Sequence, residues 1–229
     1  MIMALLTDNP VIFKVSFYQT IIREILNSVA QGNMMSALLM GLCTIDYMSV
    51  PIALPDKNTK KHFKKFLEDY MAQANNKYSE TEIQDYIYAI RCSMVHVFGD
   101  SDATNDSNII PHFFIDRLTN DNHLLKIENE NDEERFFVSI PNFIGEIVAG
   151  VTEYFKQNDA NMATIAPAWG KKIYWLGGCG SVNLLTSVSC NTIIYKNIHP
   201  FLTVIDEKSK SAKEIAAYIS DKILTINHY

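Results

Sequence analysis

The segment Tyr88-Ala89-Ile90-Arg91-Cys92-Ser93-Met94-Val95-His96 decides how this chain is read. It closes a helical stretch in which Ile83, Tyr86, Ile87, Ile90 and Met94 fall on one apolar stripe, with Gly99 as a stop at C′. Ser79-Glu80-Thr81-Glu82 fits a capping box that opens the helix, with Ser79 at the N-cap and Glu82 at N3. Arg91 is one of only four arginines, the others being Arg23, Arg117 and Arg135, and it stands five residues before His96. Five residues turn a regular helix by about 140°, so the two side chains do not share a face. They converge on one ligand only where the helix unwinds near Gly99 or where a second subunit completes the site.

Upstream, Phe17, Ile21, Ile22, Ile25, Leu26 and Val29 make a helical stripe over Val15–Ala30, and Gln31-Gly32-Asn33 breaks it. Met34–Val50 is apolar nearly all round and is predicted to be the central helix of a bundle. Its uncharged run, Met34–Ile45, is too short to span a membrane, and Asp46, Pro51 and Pro55 interrupt the residues after it. The next helix is predicted over Asn58–Ala74, capped within Asp56–Asn58. Phe63, Phe66, Leu67, Tyr70 and Met71 form its inner face, and Lys57, Lys60, Lys61, Lys64 and Lys65 its basic outer face.

Downstream the period changes. Residues 100–108 are a polar loop, and His112–Ile115 is short and apolar. His123–Glu128 and Arg135–Ile140 read as a β-hairpin around the polar turn Asn129–Glu134. Pro141-Asn142 opens a helix through Gln157 with Phe143, Ile147, Val151, Tyr154 and Phe155 inward. After a link, Lys172–Leu176, Val182–Ser189, Thr192–Tyr195 and Phe201–Ile205 lean towards strand. Ser211-Ala212-Lys213-Glu214 is a second capping box, for a helix to about Leu224. Charge shifts as well: residues 1–159 hold 13 cations and 22 anions, and residues 160–229 hold 7 and 4. The predicted organisation is a mainly α helical domain over 1–160 with a β-hairpin insertion, and a small α+β extension over 161–229.

The 229 residues are 48% hydrophobic and 20% charged, which excludes disorder and disulfide-scaffold classes. A net charge of −6 argues against general coating of nucleic acid. Ten acidic residues crowd 100–134 against Arg117 and Lys126, a stretch that repels nucleic acid and suits a basic partner. Cys43, Cys92, Cys179 and Cys190 form no CxxC pair and read as reduced thiols of a cytoplasmic protein. MIMALLTDNP has no basic n-region or small-residue cleavage site, so no signal peptide and no membrane association are expected. No HxH, HExxH or clustered carboxylate pattern points to a metal, and no cofactor is expected. Gly177-Gly178-Cys179-Gly180-Ser181 lacks the Gly-Lys-Ser/Thr ending of a phosphate loop and reads as a turn.

The order of elements around IRCSMVH resembles the HEPN superfamily of helical proteins, whose hallmark is an Arg followed four to six residues later by His. The preceding features are LLMGLCTIDYMS with its lone acid and FKKFLEDYM; a polar loop, a hairpin and a closing helix ending in EYF come after it. The resemblance covers about residues 10–160, and its one specific motif is Arg91-x4-His96. It implies an antiparallel helical bundle that forms a homodimer with the two motifs facing each other. Many members are metal-independent RNA endonucleases of toxin–antitoxin, phage-defence and CRISPR-linked systems; others keep the fold and only bind.

RNA cleavage by attack of the 2′-OH needs a group that moves protons near neutral pH, which His supplies. It also needs a fixed cation on the phosphate, which Arg supplies. By resemblance, Arg91 is the phosphate ligand and His96 the acid/base. Asp46 and Ser93 are supporting candidates, and Lys60, Lys61, Lys64 and Lys65 are candidates for tracking an RNA backbone. The residue after the Arg is often polar in active members, and here it is Cys92. A structural reading of the same residues pairs Arg91 with Asp46, the sole charge of its helix, and sets His96 at the helix C-terminus, where a cation suits the dipole. The two readings are compatible, since Asp46 can orient Arg91. The function expected is a dimeric, metal-independent RNase of bacterial stress response or phage defence, with an antitoxin or other protein as partner. The alternatives are a non-catalytic interaction module and a small-molecule sensor whose ligand is held by the C-terminal extension.

Overall fold

The computed structural model describes residue 14 and residues 17–50, 59–94, 109–115, 121–128, 134–165 and 210–226. The fold is mainly helical, with one small three-stranded sheet. A π-helical turn, Tyr18–Ile22, runs into α1, Arg23–Ala30. Gly32 then adopts a φ of 75°, which glycine takes without strain. The N–H of Gly32 donates to Val29 O at 2.9 Å and that of Asn33 to Ser28 O at 2.8 Å. These two bonds make a Schellman ending, which turns the chain into α2, Met34–Met48.

α3, Lys60–Asp69, buries Phe63, Phe66 and Leu67. It gives way to a 3₁₀ turn, Met71–Gln73, so the predicted long helix ends earlier as an α-helix. A second 3₁₀ turn, Asn76–Ser79, leads to α4, Thr81–Cys92. The capping box predicted at Ser79 does not form. Glu80 occupies the cap position without a side-chain bond, because Ser79 ends the 3₁₀ turn. Glu82 reaches outward instead, to the Tyr86 hydroxyl at 2.5 Å and to Lys126 Nζ at 3.0 Å.

β1 is Ile109–Phe114, β2 Leu125–Glu128 and β3 Glu134–Ser139, in the order β1-β3-β2. β2 and β3 are the antiparallel hairpin read from sequence, with Leu125 opposite Phe137 and Glu128 opposite Glu134. β1, which contains most of the short apolar stretch 112–115, lies parallel to β3 on its other side, with Ile109 opposite Glu134 and Phe114 opposite Ser139.

β3 passes directly into α5, Ile140–Gln157, where the Ser139 hydroxyl accepts from Asn142 N at 3.3 Å as the N-cap. Fifteen of its eighteen residues are buried. This corrects the sequence-based assignment of the central helix. α2 keeps one open side, with Met35 and Cys43 exposed, whereas α5 is packed against α2, β3, the 3₁₀ turn at Met71 and the last helix, α6. α6 is Ala212–Ile226, and it begins with the predicted capping box: Ser211 N donates to Glu214 Oε2 at 2.8 Å and Glu214 N to Ser211 Oγ at 3.3 Å. Ile215, Ile219 and Ile223 recur every four residues on one face, and all three are fully buried with α5. α6 therefore shares the core of the bundle, although the sequence reading assigns it to an extension beyond residue 160. The strand-leaning segments between Lys172 and Ile205 lie outside the described residues, as does the glycine-rich turn at 177–181.

Candidate functional site

α4 and α2 meet through Arg91 and Asp46. Arg91 Nη2 donates to Asp46 Oδ2 at 2.5 Å, and the two side chains are 14% and 27% exposed. An ion pair this shielded is screened less than a surface pair and fixes the guanidinium plane. Burial works against the charge on Arg91, but the hydrogen bond and charge of Asp46 outweigh it and hold its pKa above the ordinary value. Arg91 Nη1 also lies 3.9 Å from Cys92 Sγ. Partial burial of the sulfur first, and the Asp46 charge second, push the neighbouring Cys43 thiol up.

Tyr88, one turn before Arg91, joins this pair to the basic helix. Its ring has the Arg91 guanidinium at 6.0 Å on one side of the contact and Lys60 Nζ at 5.6 Å from the centroid. Phe63 holds the ring edge-on at 5.4 Å. Lys60 and Lys64 both reach Asp85 of α4, at 2.6 and 2.8 Å, and Lys65 reaches Asp69 at 2.8 Å. Asp85 is partly desolvated, which raises its pKa, but the hydrogen bonds from Lys60 and Lys64 win and leave it below the usual carboxylate value. The lysine face is therefore not an open strip of cations: two of its members clamp α3 to α4. Lys61 is exposed. The structure thus brings Asp46, Arg91, Tyr88 and Lys60 together at the C-terminal half of α4, while Lys64 joins Lys60 on Asp85 in its first half. Ser93 comes next as a half-buried residue in helical conformation, φ −59° and ψ −49°. His96 lies outside the described residues.

A second polar cluster escaped the sequence reading. Glu146, in the middle of α5, is 5% exposed and bonded to Tyr78 Oη at 2.6 Å, His123 Nε2 at 2.9 Å and Asn75 Nδ2 at 2.9 Å. Burial, reinforced by Glu146, raises the Tyr78 pKa far above its ordinary value, so the phenol remains a donor. The available signal was the same as for Asp46, since Glu146 is the sole charge between Ile140 and Thr152. Tyr88 carried no pattern of its own.

Among the described residues, no three His, Cys, Asp or Glu side chains are grouped as metal ligands, and no helix is long and apolar enough to cross a membrane. No protein-family model, curated protein or solved structure matches this chain.

Proposed function

We propose that this chain is a HEPN-like helical domain that cleaves RNA without a metal ion, acting as a homodimer. Arg91 holds the scissile phosphate, and His96 takes the proton of the attacking 2′-OH or returns one to the leaving oxygen. The observation that carries the reading is the grouping of Arg91, Tyr88 and Lys60 at the end of α4. Two cations share one aromatic ring, which suits phosphates beside an unstacked base. Asp46 fixes the guanidinium, so little rotational freedom is lost when a phosphate arrives. The exposed Met35 and Cys43 on α2, with half-buried Leu39 between them at four-residue spacing, support a face for a second copy. The biological setting of this reading is bacterial stress or phage defence in the cytoplasm, with an antitoxin or other protein partner.

The direct test is cleavage of a mixed RNA substrate in excess EDTA by the wild type, Arg91→Ala and His96→Ala. The reading expects cleavage by the wild type alone. Equal cleavage by all three sinks it.

A specific observation favours a second reading, a non-catalytic module that binds a partner protein. Asp46 meets the charge of Arg91 inside one subunit and makes the pair neutral, which serves to tie α4 to α2. This reading expects a folded protein that cleaves nothing and forms a stable complex in a pull-down.

A further inference from the structure

The hydrogen bonds around Glu146 have fixed directions. Ser139 N–H can only donate, and it points at His123 Nδ1 at 3.1 Å. The imidazole is fully buried and accepts there, so its proton sits on Nε2 and is donated to Glu146 Oε2. Tyr78 donates to the same oxygen. Asn75 presents its Nδ2 to Oε1, its own Oδ1 being used by the Lys77 N–H at 3.2 Å. Three neutral donors thus surround a buried carboxylate, and among the described residues no lysine or arginine forms an ion pair with it. A carboxylate offers about four acceptor positions, of which three are used here.

The fourth position belongs to Oε1, and Glu146 forms part of the wall of a cleft of about 340 Å³ between α5, α6 and the segment Asn75–Lys77. That volume is in the range of small-molecule sites, roughly 300–1,000 Å³. The other charges along the cleft are Lys213, Lys77 and Asp121. Lys77 is anchored by its bonds to the carbonyls of His123, at 2.7 Å, and Asp121, at 3.2 Å. Ser220 Oγ donates to Asn142 Oδ1 at 3.0 Å, and both residues line the cleft. The lining carries two negative and two positive side chains. A simple anion placed there meets the carboxyl groups of Glu146 and Asp121, and a simple amine meets two lysines. A molecule carrying both charges satisfies both ends.

We propose that this cleft binds a free amino acid, with its ammonium group on Glu146 Oε1 and its carboxylate towards Lys213. The site is separate from Arg91, and the binding experiment reads it without reference to RNA cleavage.

The experiment is isothermal titration of the full chain with the twenty free amino acids, then with the amine and the acid that each binder becomes on losing one charged group. At least one amino acid is expected to bind with a Kd of about 1 mM or tighter, and both of its truncated analogues at least about tenfold more weakly. Lys213→Ala lies on the exposed rim and should weaken binding about tenfold, and Glu146→Gln by at least as much. Ala217 also lines the cleft, and Ala217→Trp puts an indole into it and should abolish binding. If Glu146→Gln does not fold, Lys213→Ala and Ala217→Trp decide the matter. Absence of binding by every amino acid overturns the proposal. So does an amine or acid that binds as tightly as its parent, or binding that survives Ala217→Trp.

Discussion

Substituting Gly145 by alanine tests the packing that holds the bundle closed. In a helix interior, glycine to alanine ordinarily stabilises by about 1 kcal/mol. At Gly145 the new methyl carbon would sit 2.4 Å from the backbone oxygen of Ala216, 3.2 Å from its carbonyl carbon and 3.3 Å from its Cα. Ordinary contact begins near 3.4 Å, so α6 must retreat by the difference, 1.0 Å at that oxygen. Backbone cannot rotate aside as a side-chain tip can. A gap of roughly 0.5–1 Å forfeits a quarter to a half of the dispersion attraction across it. Ile215, Ile219 and Ile223 stand on that interface, and a buried isoleucine contributes about 1.5–3 kcal/mol. Loosening the three costs about 2–3 kcal/mol, in line with measured overpacking penalties. Subtracting the helix gain leaves a net loss of about 1–2 kcal/mol, or about 2–8 °C in Tm for a chain of this size. The assay is thermal and urea unfolding of Gly145→Ala beside Gly41→Ala. At Gly41 the closest atom is the tip of Ile147, at 2.7 Å, which can rotate away. The account requires Gly145→Ala to be clearly less stable than both the wild type and Gly41→Ala. A Tm for Gly145→Ala at or above the wild-type value refutes the argued packing of α5 on α6.

Electrostatics give three more expected outcomes. Burial, helped by the Glu82 hydrogen bond, pushes the Tyr86 phenol up to about 12. The unfolded chain then loses this proton first, near the ordinary 10.0, so stability should fall as pH rises from there towards 12; urea midpoints of the wild type should decline more steeply over that range than those of Tyr86→Phe. Asp85 shows the opposite sign. Its lowered pKa stabilises the fold above the ordinary 3.8, and the contribution is lost as pH falls below it, so Asp85→Asn should flatten the acid limb of the stability profile. Asp46→Asn should lower stability by about 1–3 kcal/mol, since Arg91 loses a charged hydrogen-bond partner; under the RNase reading it should also reduce kcat through misorientation of Arg91, and cleavage at the wild-type rate would show that Asp46 positions nothing.

The helices were legible because their apolar stripes recur at helical spacing and the breaks on either side of α2 carry Gly32 or Pro51 and Pro55. α6 was recognised by its capping box, yet its place in the core was not, because a change in charge balance near residue 160 says nothing about packing. α2 and α5 are both rich in apolar residues, and only contacts distant in sequence reveal that α5 is surrounded. β1 was missed as a strand because its pairing is parallel and bridges 25 residues, from Ile109 to Glu134, which no local turn announces. The Ser79 capping box failed because Glu82 has better partners in Tyr86 and Lys126. In the site, one lone acid on an apolar helix led correctly to the Asp46–Arg91 contact. The same signal at Glu146 passed unread, because its partners Asn75, Tyr78 and His123 come from loops and turns whose positions no periodicity encodes.

The functional claim is tested most directly by end-group analysis of RNA incubated with the protein in excess EDTA. Attack by the 2′-OH leaves a 2′,3′-cyclic phosphate and a 5′-hydroxyl, and the account predicts these ends for the wild type and their absence for a folded Arg91→Ala variant. No cleavage by the wild type above the Arg91→Ala background, or 3′-hydroxyl and 5′-phosphate ends, would contradict it.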